Sequence, residues 1–341
     1  YTYDTAWAIG AVITAFLAVR YLRHSGYSTI SALVNEMFGK KTSFIMVISM
    51  CIIQSGIIAL QYKAGGSILA ALLPDIFTTE SGTFFSFIIF MLVAMIGGMG
   101  SVTLTNVLNL ILIYVGVIVA TVIVLNNHGG WAAIQTLVAA EPDVPYLSFT
   151  EGMGWIGILS WVIVMIGNTN SVQGVVQIGL TGKDDRAAKW GYIIGAAFMV
   201  PVGFICALLG VASKALLPDA VAAEALPRIL MSIPPVLAGI TLSGLWAADM
   251  GTGCSMIVGL ATTVSSDIVY RLSGSEKLKA RKSLVNKVIV VIASFITYLI
   301  ATQMGAILNA MQQALSLAIG TSFIVIGALI APKFTSKKAG F

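Results

Sequence analysis

Apolar residues run on with few interruptions through nine stretches of the chain, at roughly 5–22, 43–73, 82–97, 103–125, 153–180, 188–213, 236–270, 284–302 and 306–332. A helix needs about 20 mainly apolar residues to cross a bilayer. The pattern therefore predicts an all-α integral membrane protein with nine transmembrane helices. Several stretches are longer than a crossing needs, which predicts tilt, kinks or extensions along the interface.

The polar positions that break into these stretches carry the chemistry. In the second stretch, "QSGIIALQYKAGGS" sets Gln54, Gln61, Tyr62 and Lys63 beside Gly65 and Gly66. In the fifth, "IGNTNSVQGVVQ" sets Asn168, Thr169, Asn170, Ser171, Gln173 and Gln177 among Gly167 and Gly174. So much Asn, Ser and Gly holds a helix poorly, and amides against lipid are costly. The stretch is expected either to break locally and line a watery cavity or to bond neighbouring helices. In the seventh, Ala248, Thr252, Ser255 and Gly259 recur at i, i+4, i+7 and i+11. That narrow face of small residues suits close helix packing or oxygen coordination of a small hard cation. Asp249 stands beside it, an ionisable group that lipid tolerates only when it is compensated.

Composition agrees: 58% of the residues are hydrophobic and 10% charged, with a mean hydropathy of +0.96, against about 25% charged in soluble domains. A soluble enzyme is excluded. The pI of 9.1 is a topology signal and not a sign of nucleic-acid binding. All of the 19 Lys and Arg residues except Lys63, Lys214 and Arg228 fall on one side of the predicted spans or in the tail. The positive-inside rule then puts the start of the chain outside and its C-terminus in the cytoplasm of a cell-membrane, multi-pass protein. Two long outer connections, around 126–152 and 214–235, are lids or plain connectors. Cys51, Cys206 and Cys254 lie in apolar stretches without paired spacing and read as reduced core residues. The chain opens on "YTYDTAW", without an initiator Met, and reads as a fragment with more sequence upstream.

Five segments, in order, resemble the sodium:solute symporter family. "RHSGYSTISALVNEMFGKK", "LQYKAGGSILAALLP", "GGMGSVTLTNVLNLIL" and "VVQIGLTGKDDRAAKWG" are similar to its successive motifs, and "SSDIVYR" to the end of its eighth core helix. The resemblance covers essentially the whole chain and implies a single transporter domain over 1–341 with the leucine-transporter-like fold, two inverted five-helix repeats. The nine spans would be core helices 2–10, the first lying upstream. Carried over, the family's sodium site falls on Ala248 (by its carbonyl), Gly251 and Thr252. A second site of some members falls on Asn106, Gly251, Cys254 and Ser255. Where the family usually has a hydroxyl this chain has Gly251, and where it has Asp this chain has Asn106, which weakens the first site and argues against the second.

The same resemblance makes the helices of Lys63 and Asp249 neighbours. Counted from the span centres, the two lie at depths of roughly 7 and 6 Å, so a compensating ion pair is expected. The function expected is sodium-coupled symport of a small organic solute by alternating access in the lipid bilayer, with Gln61, Asn168, Asn170 and Gln173 lining the solute site. Sodium is the coupling ion and no other cofactor or metal is implied. Rival readings are proton-coupled or uncoupled transport, and a membrane sensor fused to a downstream signalling domain. An enzyme is the poorest reading, since no Ser/His/Asp set or metal cluster is present and His24 and His128 fall in loops.

Overall fold

The computed structural model describes the chain except residues 1, 18, 20–22, 25, 28, 140–144, 223, 271–280, 305–306 and 331–341, and describes only the backbone of 97–105, 307–314, 317 and 328–330. Arg20, the basic residues at 271–279 and the tail lysines, which the orientation argument uses, lie outside the described residues. Among those described there is no strand. The helices are α1 (Thr2–Phe16), α2 (Ile30–Phe38), α3 (Lys40–Leu72), α4 (Thr79–Asn127), α5 (Gly130–Ala139), α6 (Gly154–Ser171), α7 (Gln173–Leu180), α8 (Asp185–Leu216), α9 (Ala225–Leu230), α10 (Pro235–Thr263), α11 (Lys282–Gln303) and α12 (Ile307–Ile330). A π-helical turn, Val264–Tyr270, extends α10.

Six helical segments among the described residues are long and apolar enough to cross a membrane, or seven if the bent pair α6 and α7 counts as one span. The third and fourth stretches are two of these segments, Thr79–Ile96 and Asn106–Asn127, and the connection between them is helical. They lie on one unbroken helix, α4, with the glycines of "GGMGS" inside it. A helix satisfies its own backbone hydrogen bonds, so in an apolar setting glycines alone do not interrupt it. The fifth stretch does break: Val172 is extended between α6 and α7, which bend by 55°. Both long connections contain short helices, α5 and α9. The three cysteines are free thiols.

Three apolar clusters follow one another along α3. Met46 and Met50 pack with Ile30, Leu33, Val34 and Phe38 of α2 and Val176 of α7. Ile53, Ile57, Ile58 and Tyr62 join Phe87 and Phe90 of α4, Ile257 and Leu260 of α10, and Trp161 and Met165 of α6. Ile68 meets Val117, Leu209, Ile229, Leu230 and Leu242. Outward faces are apolar too: Phe44, Ile45 and Ile48 of α3 and Ile292, Phe295 and Ile296 of α11 are exposed, as befits helices solvated by lipid. The clusters bring α3, α4, α6, α7 and α10 together, and the polar residues of the sequence fall at their joins.

Candidate functional site

The small-residue stripe of α10 meets three different neighbours. At its upper end, Ser255 is buried and donates its hydroxyl to the Gly251 carbonyl (2.8 Å). A Cβ on Gly251 would run into the Asn106 side chain of α4, so the absent hydroxyl at 251 is what lets Asn106 approach. Thr252 is exposed and donates to the Ala248 carbonyl (3.3 Å). At the lower end Gly259 packs backbone to backbone: a Cβ there would stand 2.8 Å from both the Gly174 Cα of α7 and the Gln54 Oε1 of α3. Cys254, another position of the expected second site, turns its thiol to the Phe90 carbonyl (3.3 Å). The stripe therefore packs at Gly251 and Gly259 and offers hydroxyl and carbonyl oxygens at Thr252 and Ala248.

The break between α6 and α7 gathers the amides. Thr169 and Ser171 bond back into their own helix, to Met165 (3.0 Å) and Gly167 (2.6 Å), as hydroxyls in a helix commonly do. Thr321 of α12 donates to Ser171 (3.1 Å). Asn170 gives its NH₂ to the Ile166 carbonyl (2.8 Å). The Asn170 Oδ1 and both amide atoms of Asn168 are buried with no hydrogen-bond partner in the structure. So is the indole N–H of Trp161, one helical face below Asn168 at i−7. A buried polar atom left unpaired costs about 1–3 kcal/mol, and this cluster concentrates several of them. Gln61 lies apart on α3, half-buried with its Cβ beside Gly253 of α10. Gln173 opens α7, and its Oε1 accepts the Ile30 backbone N–H of α2 (3.1 Å).

The expected Lys63–Asp249 ion pair is not formed. Lys63 donates to the carbonyl of Met304 at the C-terminus of α11. Asp249 turns its Oδ2 to Gly65, where a Cβ would stand 2.9 Å away, and that oxygen has no hydrogen-bond partner in the structure. Equal depth does not fix direction: Lys63 is two residues from Gly65, about 200° around the helix, and so points away from α10.

Sequence reasoning missed Thr29 and Asp267. Thr29 caps α2, accepting the Ala32 N–H (3.2 Å) and donating to the Asp267 Oδ1 of the π-helical turn (3.3 Å). A threonine directly before the apolar run "ISALV" is an N-cap signal, but its partner is 238 residues away. Arg23 was also missed. Its guanidinium binds the Gly179, Leu180 and Gly182 carbonyls at the end of α7 and the Asp185 carboxylate (2.9 Å), the usual service of a cation at a helix C-terminus.

A membrane bundle with one helix broken around buried amides, packed against a helix with a small-residue face, has the architecture of a secondary transporter. Solved structures share it. The chain superposes with a TM-score of 0.80 on a Na⁺-coupled sialic acid symporter in a substrate-bound outward-open state, at 18% identity, covering 97% of this chain and 73% of that one. A nucleobase-cation-symport-1 family transporter in a closed conformation gives 0.61 at 16% identity, covering 99% and 74%. The fold is thus leucine-transporter-like. The sodium:solute symporter family matches residues 1–339, and the chain belongs to that family. It is also 25% identical over 256 residues to the sodium/pantothenate symporter of Escherichia coli (strain K12), covering 70% of this chain and 51% of that protein. The chain thus spans about half the length of that relative. The family and these neighbours are transporters and not enzymes.

Proposed function

We propose that the protein is a secondary active transporter that couples movement of a small organic solute to the sodium gradient. The observation that carries this reading is the break at Val172 with its unpaired, buried amides. A solute with hydrogen-bonding groups would relieve their cost, so Asn168 and Asn170 are its contacts, and Gln61 on α3 and Gln173 at the start of α7 complete the proposed solute set. Sodium would be held by the Ala248 carbonyl and the Thr252 hydroxyl, with Gly251 and Ser255 beside them, the hard oxygen donors such a cation takes. Binding there would shift the population between outward- and inward-facing arrangements only by its difference in affinity for the two. The reading includes a cell-membrane location with the C-terminus in the cytoplasm.

The test is uptake by the full-length protein in proteoliposomes, with a panel of small organic solutes and an inward sodium gradient. The expected result is accumulation that needs sodium and falls at least ~10-fold in Asn168→Ala, the loss of about one hydrogen-bonded contact to a buried group. Accumulation indifferent to sodium would defeat the reading. Asp249, with a buried oxygen that nothing bonds, supports proton coupling as the second reading. Uptake that survives without sodium but stops with a protonophore selects it.

A further inference from the structure

The first N–H groups of any helix have no partner within it. In α2 that demand is acute, because Ile30 is 1% exposed and no water reaches its backbone. Its own cap and two other elements converge on this one helix start. Its own cap, Thr29, takes the Ala32 N–H. Asp267, at the end of α10, accepts the Thr29 hydroxyl proton at 3.3 Å, and its carboxylate lies where the positive end of the α2 dipole favours a negative group. Gln173, the first residue of α7, supplies the acceptor for the Ile30 N–H at 3.1 Å. Meanwhile α2 is tied to α3, since Ser43 donates to the Ser31 carbonyl (2.9 Å). On one side of the Ile30–Gln173 bond stand α2, α3 and α10. On the other stands α7, an eight-residue helix joined to α6 only through the extended Val172.

Close by, α7 meets the same partners a second time. Gly174 and Gly259 let the backbones of α7 and α10 touch, and Gln54 of α3 points its Oε1 into that crossing. This oxygen is fully buried and has no hydrogen-bond partner in the structure. Apolar packing adds Val176 of α7 against Ile30 and Leu33. Among the described residues this contact joins the Gln173–Ile30 hydrogen bond, a glycine crossing and a few methyl groups, a small area next to the long helix–helix joins of the bundle.

We propose that the capped start of α2 is a latch for α7: the Gln173 Oε1 to Ile30 N–H bond holds the short half of the broken helix against α2 and α10, and its release opens this end of the protein. The proposal rests on the alternating-access reading above, but its test does not need transport. Asp267 acts through Thr29 as a positioning residue, holding the cap so that the Ile30 N–H faces Gln173.

Accessibility of a thiol on α7 tests it. In a full-length background with Cys51, Cys206 and Cys254 replaced, Val176→Cys places a fully buried reporter behind the latch. Leu230→Cys, equally buried in the cluster at the other end of α3, is the control. Both are reacted with a membrane-impermeant maleimide applied to each face of vesicles in turn. Gln173→Leu is expected to raise the labelling rate at 176 about 2–10-fold, from one face only, the shift that one hydrogen bond can supply. Asp267→Asn should raise it less, and Gln173→Glu, which keeps an acceptor oxygen, should restore the slow rate. Leu230→Cys should stay protected throughout. An unchanged rate at 176 in Gln173→Leu overturns the latch, and so does an equal rise at 230, which would mean general loosening. If the rates change as expected while sodium-driven uptake fails, the latch stands and the transport reading falls.

Discussion

The join between α3 and α4 and the join between α7 and its neighbours both bring helices close through glycine, but they are finished differently. At the first, Gly66 packs against Thr83 and the Thr79 carbonyl, while a Cβ on Gly82 would meet the Gly66 carbonyl at 2.7 Å. Around it Tyr62, Phe87, Phe90 and Tyr298 form a continuous aromatic layer, with Phe87 stacked on Tyr298 at 4.9 Å. Trp246 donates to Ser86 (3.2 Å) across to α10. At the second, amide groups outnumber rings and several polar atoms are left unpaired. Dense aromatic packing makes a surface that must break many contacts to open. A small glycine crossing bridged by the Gln173–Ile30 bond has fewer rings to unstack. The difference separates a rigid frame, α3 with α4 and α10, from a segment, α7, that can part from it.

The sharpest way to break this contrast is substitution at the two glycine contacts. Gly66→Val should cost about 3 kcal/mol or more, because the added atoms meet the α4 backbone and cannot be accommodated by a side chain moving aside. It is read as lost folded yield and a lower Tm in detergent. Gly259→Ala should cost less, about 1 kcal/mol, yet reduce uptake more than stability, since it props α7 away from α10. If the two variants lose stability equally and Gly259→Ala transports normally, frame and moving segment are not distinct. A smaller effect concerns Lys63 and Asp249. With their side chains turned to different neighbours, the stability losses in Lys63→Met and Asp249→Asn should add to within about 0.5 kcal/mol in the double variant. A larger coupling would restore the ion pair.

Much of the frame was legible in the chain itself. Each of the nine apolar stretches is mostly helical where the structure describes it, the fifth broken at Val172, since periodicity and length are properties of a segment alone. The break was legible in the same way: the Asn-Thr-Asn-Ser run at 168–171 weakens a helix locally, and the bend falls one residue beyond it. What the chain alone does not carry is direction. Depth put Lys63 level with Asp249, but only the rotation of α3 decides that Gly65, and not Lys63, faces α10. Gln173 read as a solute contact because of its amide and its place. Its commitment to Ile30 comes from an orphaned N–H on a helix 143 residues away, and nothing near Gln173 in the sequence announces it. The glycines of "GGMGS", between the third and fourth stretches, do not end the helix, since glycine breaks a helix less readily where the backbone has no solvent to turn to.

The oxygen pair at the exposed edge of α10 is where the account meets sodium, and Thr252 is its one side-chain donor there. The decisive measurement is the sodium dependence of uptake by the full-length protein, compared with Thr252→Ala. Half-saturating sodium is expected to rise roughly 10-fold in the variant, about 1.4 kcal/mol of binding, with the folded yield unchanged because the residue is exposed. A sodium dependence identical in the two proteins would contradict it.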